Sequence, residues 1–131
     1  MSHGTDVMRS WGITLLRVGV GVVFVAHGVQ KFFMGFSNVA GFLNSVGIPQ
    51  PTIAAVLLTG LEFLGGLALI FGILTRYVAV ALAFDMAVAI IKVHWKGGFF
   101  APAGVELPLT LLVANLTLIL SGGGEMELFR F

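Results

Sequence analysis

Residues 11–33 read WGITLLRVGVGVVFVAHGVQKFF. At about 1.5 Å per residue, a helix over this run crosses a hydrocarbon core of about 30 Å, so reading it as a transmembrane span settles the solvent and with it the fold. A secretory signal peptide would show a shorter apolar core followed by a small-residue cleavage site. The run is therefore read as a retained span, with residues 1–10 as a short polar leader and membrane insertion itself as the targeting step.

Working outward, residues 34–51, MGFSNVAGFLNSVGIPQP, set Val39, Phe42, Leu43 and Val46 at helical spacing. Ser37 or Asn38 serves as cap and Gly47 before Pro49 as stop, which predicts a short interfacial helix over about 38–46. A second span covers about 52–71 and a third about 75–95; only GILT separates them, which forces an antiparallel hairpin. The fourth span, about 105–121, has an unbroken apolar run only over 107–120 and borrows flanking residues to cross, with Pro108 suited to its first turn. Gly122, Gly123 and Gly124 end it and leave EMELFRF outside the bilayer. The fold class expected is all-α, a transmembrane four-helix bundle with one interfacial helix, as a single membrane domain over residues 1–131. No internal repeat or long low-complexity segment interrupts it.

Composition agrees with lipid as the solvent. Of the 131 residues 58% are hydrophobic and 10% charged, against about 25% charged in soluble domains, too few to cover a water-facing surface. A net charge of +1 from scattered residues offers no block for phosphates, so nucleic acid is not an expected partner. The absence of cysteine excludes disulfides, thiolate nucleophiles, Cys-ligated zinc, iron–sulfur clusters and c-type haem attachment; no metal site is expected. Four crossings place both termini on one side, with Arg9, Arg76 and Arg130 there against Lys31, Lys92 and Lys96 opposite. The positive-inside rule is nearly silent on this count, and the expectation is a prokaryotic inner membrane with cytoplasmic termini.

Small residues mark helix contacts: Gly21, Gly28 and Gly35 recur every seven residues, and Ala79, Ala83 and Ala87 every four. Ionisable residues at membrane depth cost from roughly 3 to over 10 kcal/mol and count as functional candidates by default. Glu62 and Asp85 lie nearly equally far from the GILT turn, so both carboxyls reach a similar depth near the midplane. On the first helix Arg17, Gly21, Phe24, His27, Gly28 and Lys31 fall within an arc of about 120°. That face offers Arg17, preferred as the partner of Glu62, and on the other side of the midplane His27 and Lys31. Asp85 shares a close-packed face with Ala81, Ala89 and Lys92, where it would find a cation, whereas a straight helix turns His94 the other way. The link HWKGGFFAPAGVE brings His94, Lys96 and Glu106 to the end that holds His27 and Lys31.

Each group also has a bland reading. Arg17, Glu62 and Asp85 suit a structural ion-pair network. Lys31, Lys92 and Lys96 suit snorkelling, for which the sequence argues more strongly. His27 suits an interhelical hydrogen bond, His94 and Glu106 a wet interface, and Asn115 and Thr117 helix-to-helix adhesion.

LLRVGVGVVFVAHGVQKFF, GLEFLGGLALIFGILTR, KVHWKGGFF and GVELPL, in this order and spacing, together resemble the DoxX family of small membrane proteins, over nearly the whole chain. The resemblance implies a four-helix membrane bundle and a link to respiratory or stress redox chemistry. One family member is the small subunit of a thiosulfate:quinone oxidoreductase, and others are tied to quinone or catechol detoxification. The matching polar positions are Arg17, His27, Lys31, Glu62, Arg76, His94 and Glu106; Asp85 has no match in the pattern.

Three functions follow as expectations. A quinone-linked oxidoreductase component would bind the quinone head at His27, Lys31, His94 and Glu106, with histidine relaying protons and lysine stabilising a reduced anion. No flavin fingerprint or cluster ligand accompanies it, so electrons would come from a partner oxidoreductase, and two histidines are a thin signal for haem. A small-solute or proton carrier would use the Arg17, Glu62 and Asp85 layer and need a homodimer to complete a repeat. A membrane scaffold for a partner enzyme would use the same charges for structure alone.

Overall fold

The computed structural model describes residues 3–100 and 104–128. Residues 1 and 2 of the leader, 101–103 in the link before the fourth apolar run, and Arg130 with its neighbours in the tail lie outside them.

Every regular element among the described residues is helical. Helix α1 runs His3–Met34, so the leader from His3 onward is part of the helix. Asp6 stands in the first turn, where the helix dipole favours an anion, with Arg9 3.8 Å away across one exposed turn. Gly35, at φ 89°, ends α1 and turns the chain directly into α2, Phe36–Ser45. The expected side-chain cap is not used: Asn38 donates back to the Met34 carbonyl at 2.7 Å, and Gly35 occupies the cap position. Gly47, at φ 84°, closes α2 as expected, with the Ile48 N–H on the Leu43 carbonyl at 3.0 Å.

Helix α3, Pro51–Phe71, has proline in its first turn, and Gly72, at φ 72°, stops it while the Ile73 N–H bonds the Ala68 carbonyl at 2.8 Å. Helix α4, Thr75–Ala89, passes into a π-helical turn at Ile90–His94 and a 3-10 turn at Trp95–Gly97. Helix α5 is Glu106–Ser121. Three segments are long and apolar enough to cross a membrane, Gly4–Met34, Pro51–Phe71 and Thr75–Gly97, and α5 is a shorter apolar helix.

Helix α1 packs most extensively on α3, and α4 on α5; α3 also meets α4 and α1 meets α5, while α2 leans on α3. Phe24, Leu69, Leu82 and Leu118 fill the centre, almost wholly buried. The α1–α3 contact is backbone to backbone. A Cβ on Gly28 would stand 2.6 Å from the Phe63 nitrogen, and one on Gly66 2.6 Å from the Val25 nitrogen and 2.7 Å from the Gly21 oxygen. Gly21 and Gly28 therefore act as the expected stripe, with Gly66 as their counterpart, whereas Gly35 has nothing within 4 Å and serves as a hinge. Ala79 and Ala83 are buried as a second close-packed stripe.

At the terminal end the chain folds back on itself. Arg17, 1% exposed, donates through Nε to the Leu69 carbonyl at 2.8 Å, through Nη1 to those of Gly123 and Glu125 at 2.8 and 2.9 Å, and through Nη2 to that of Met126 at 3.1 Å. The Glu125 N–H donates to Thr14 Oγ1 at 2.7 Å, the Leu128 N–H to the Phe71 carbonyl at 3.1 Å, and Thr75 Oγ1 to Glu127 Oε2 at 3.2 Å. The tail's described part is thus tied to α1 and the α3–α4 turn. Glycines at 122–124 allow this approach: a Cβ on Gly124 would overlap the Ser10 carbonyl.

Two outcomes test this packing by thermal melting in detergent. Gly28→Ala lowers stability by about 1–3 kcal/mol because the new methyl meets backbone that cannot step aside, while Gly19→Ala, with open space around it, changes stability by less than about 0.5 kcal/mol. Arg17→Met costs more than about 3 kcal/mol and raises amide exchange across Gly123 to Leu128, since several buried carbonyls lose a charged donor at once.

Candidate functional site

The opposite end of the helices encloses a cavity of about 560 Å³. Apolar side chains make most of its wall: Phe24 from α1, Val39, Phe42 and Leu43 from α2, Leu58 from α3, Met86 and Val93 from α4 and its π turn, and Leu111 from α5. Into it the structure brings His27, Gln30 and Lys31 from α1, Glu62 from α3, and Asp85 and His94 from α4 and its continuation.

The close α1–α3 register decides the polar pairing. Gly28 sits against Phe63 and Gly21 against Gly66 and Ile70, so α1 descends as α3 ascends and Lys31 arrives level with Glu62. Lys31 Nζ lies 2.7 Å from Glu62 Oε1, with Glu62 3% exposed. This corrects two expectations. Lys31 does not snorkel to the head groups, and Glu62 is not paired with Arg17, which stands about ten residues, or about 15 Å, further along the helix pair and bonds the tail.

Asp85, 9% exposed, meets Glu62 carboxyl to carboxyl at the depth the hairpin predicted, with Lys31 near enough to attract it. Its Oδ2 is buried and receives no hydrogen bond among the described residues. Two carboxyls face one ammonium here, so the cluster has one carboxyl beyond its ion pair.

His27 Nδ1 is 2.8 Å from the Val23 carbonyl of its own helix. A carbonyl only accepts, so Nδ1 carries the hydrogen and Nε2 of the neutral ring is left as an acceptor. The bond is within α1, not between helices as the bland reading had it. His94 lines the cavity, where the expected head-group site had it, although a straight helix would turn it away. In a continuous α-helix it would stand about 180° from Asp85, but the wider turn at Ile90–His94 advances through a smaller angle per residue and swings it round.

Glu106 is not part of the wall. It opens α5 with its N–H on the Phe99 carbonyl at 2.8 Å, and Gly104, Leu107 and Pro108 line the cavity in its place. Lys92 and Lys96 are exposed outside it, in keeping with snorkelling. Asn115 and Thr117 bond carbonyls of their own helix, Leu111 and Val113, and do not link helices. No group of three or more His, Asp or Glu placed to hold a metal occurs among the described residues. Gly66 and the tail carbonyls around Arg17 were missed by sequence reasoning, although the GG pair at 65–66 and the GGG run carried the signal.

Comparison with known proteins accords with this geometry. The family model described as DoxX matches residues 12–95. The chain is 35% identical to the Bacillus subtilis protein named "Putative oxidoreductase CatD", over 92% of this chain and 86% of that one. It is 32% identical to the Mycobacterium tuberculosis "Uncharacterized membrane protein Rv3486", over 90% and 79%, and 27% identical to the Escherichia coli "Inner membrane protein YphA", over 90% and 88%. No solved structure matches the chain. On the family model and these relatives, the chain is an integral membrane protein that belongs to the DoxX family.

Proposed function

We propose that this chain is the membrane-embedded, quinone-binding component of an oxidoreductase. The observation that carries the reading is the cavity of about 560 Å³, apolar over most of its wall, into which Lys31, Glu62, Asp85, His27 and His94 converge. Its volume falls within the range of small-molecule sites, and an apolar wall with a few convergent polar groups is what a lipid-soluble ring requires. The name of the Bacillus subtilis relative supports the redox class.

In this reading the quinone supplies the redox chemistry and a partner oxidoreductase the electrons. The chain's own residues bind and move protons. Lys31, fixed by Glu62, offers its remaining hydrogens to a ring oxygen; the Glu62–Asp85 pair holds and releases a proton; His27 and His94 connect that pair to the cavity mouth. Apolar residues of α2 and α5 exclude water from the ring and leave room for a tail along the lipid.

We further propose that the three long apolar helices and the shorter α5 cross together as a bundle, α5 with help from flanking residues or a thinned bilayer, with α2 at the interface. With Lys31 engaged by Glu62, Lys92 and Lys96 stand against Arg9, Arg76 and Arg130, the last outside the described residues, which favours cytoplasmic termini. The carrier reading is less well supported, because Arg17 bonds carbonyls about ten residues along the helix pair from Glu62 and Asp85, with which it was to form one layer.

Two measurements test the proposal. Purified protein should bind short-tailed ubiquinone, offered in oxidised and reduced forms, and His27→Ala and Glu62→Gln should each weaken binding about tenfold; no binding of either form, or binding indifferent to both changes, overturns it. Lys31→Met should destabilise by about 2–3 kcal/mol, less than a fully dry pair because Lys31 is partly exposed. Combining it with Glu62→Gln should restore most stability while leaving ligand binding lost, the outcome that separates a binding site from a scaffold.

A further inference from the structure

The cavity wall gathers several hydrogen-bond acceptors. Asp85 Oδ2 is buried and receives no hydrogen bond among the described residues. With His27 Nδ1 bonded to the Val23 carbonyl, Nε2 of the neutral ring is a second acceptor. Glu62 has one oxygen on Lys31 and adds further acceptor capacity. Lys31, the charged donor beside them, is directed at Glu62, and the Gln30 amide also lines the wall.

An oxidised quinone presents only carbonyl oxygens and leaves the Asp85 acceptor unmatched. A dihydroxyarene presents two O–H groups whose oxygens also accept. One hydroxyl can donate to Asp85 and accept from Lys31, and a site built around buried acceptors rejects a ligand that lacks the donor.

Resting on the quinone-pocket reading, we propose that the cavity selects the reduced, dihydroxy form of the ring, a quinol, and that Asp85 is the residue that sets this preference by accepting its hydroxyl hydrogen. The geometry behind it is the nine-tenths buried Asp85 carboxyl on the wall of an apolar cavity, beside Glu62 and Lys31. No bond is made or broken in this step; the proposal concerns binding alone.

The test is equilibrium binding to the full-length protein in nanodiscs, under argon, of ubiquinol-1, ubiquinone-1 and the dimethyl ether of the quinol, which keeps the ring and removes both O–H groups. The quinol is expected to bind at least tenfold more tightly than the other two. Asp85→Asn, which keeps the shape and can still touch Glu62, is expected to remove most of that preference while changing quinone affinity less than about twofold. The wild-type ratio stands by itself should the variant fail to fold. Equal or tighter binding of the quinone, or equal binding of the dimethyl ether, overturns the preference and leaves the quinone pocket in place. A preference undiminished in a folded Asp85→Asn variant overturns the role of Asp85. Failure of all three ligands to bind overturns the pocket reading and this inference together.

Discussion

Backbone contact between α1 and α3 through Gly21, Gly28 and Gly66 fixes the axial register of the two helices, and the register fixes the chemistry at both ends. Because no side chain separates the helices there, neither can slide without driving a carbonyl or an amide into its neighbour. Lys31 is thereby held level with Glu62, and Arg17 level with the last turn of α3, where it finds the Leu69 carbonyl. A shift of one helical turn, about 5.4 Å, would separate both pairs at once. The buried Arg17, the half-buried Lys31 and one pair of glycine stripes therefore specify the same alignment.

The two ends are built on opposite principles. At the terminal end Arg17 is surrounded by neutral carbonyls, with the Glu127 carboxylate as its nearest countercharge, and the returning tail seals it. At the other end the groups are carboxyls, an ammonium and imidazoles around a space of about 560 Å³. The π turn at Ile90–His94 belongs to this second design. It gives up regular helix geometry in order to aim His94 inward, and such local irregularity is common where a helix serves a site.

Much of this was legible in the sequence. Long apolar runs fixed the helical class, the four-residue GILT link fixed the hairpin, and equal spacing from that link placed Glu62 beside Asp85. What the sequence could not convey was register between helices distant in the chain. Arg17 and Glu62 were matched from the ends of their apolar runs, but α1 continues to His3 and packs further along α3 than those ends suggest. Lys31 near the end of its run looked like a snorkelling residue for the same reason. His94 was grouped with the pocket through the link that follows it, but the π turn that aims it inward was not legible, because periodicity assumes a constant turn and no propensity marks a π turn. Glu106 was grouped with the mouth by proximity in the chain, yet its place at the start of α5 keeps it off the cavity wall.

The contrast between Arg17 and Asp85 bears most directly on function. Both are buried ionisable groups at membrane depth, where each needs compensation. Arg17 has it in full, from carbonyls that the fold itself supplies, so its burial is explained by structure alone. Asp85 stands against another carboxyl, with one oxygen that receives no hydrogen bond among the described residues. An arrangement that weakens the fold and borders a cavity is explained if something that enters the cavity completes it. Asn115 Oδ1 is also buried without a hydrogen bond among the described residues but lies off the cavity wall, so it is the position of Asp85 on that wall that connects it with the proposed ligand.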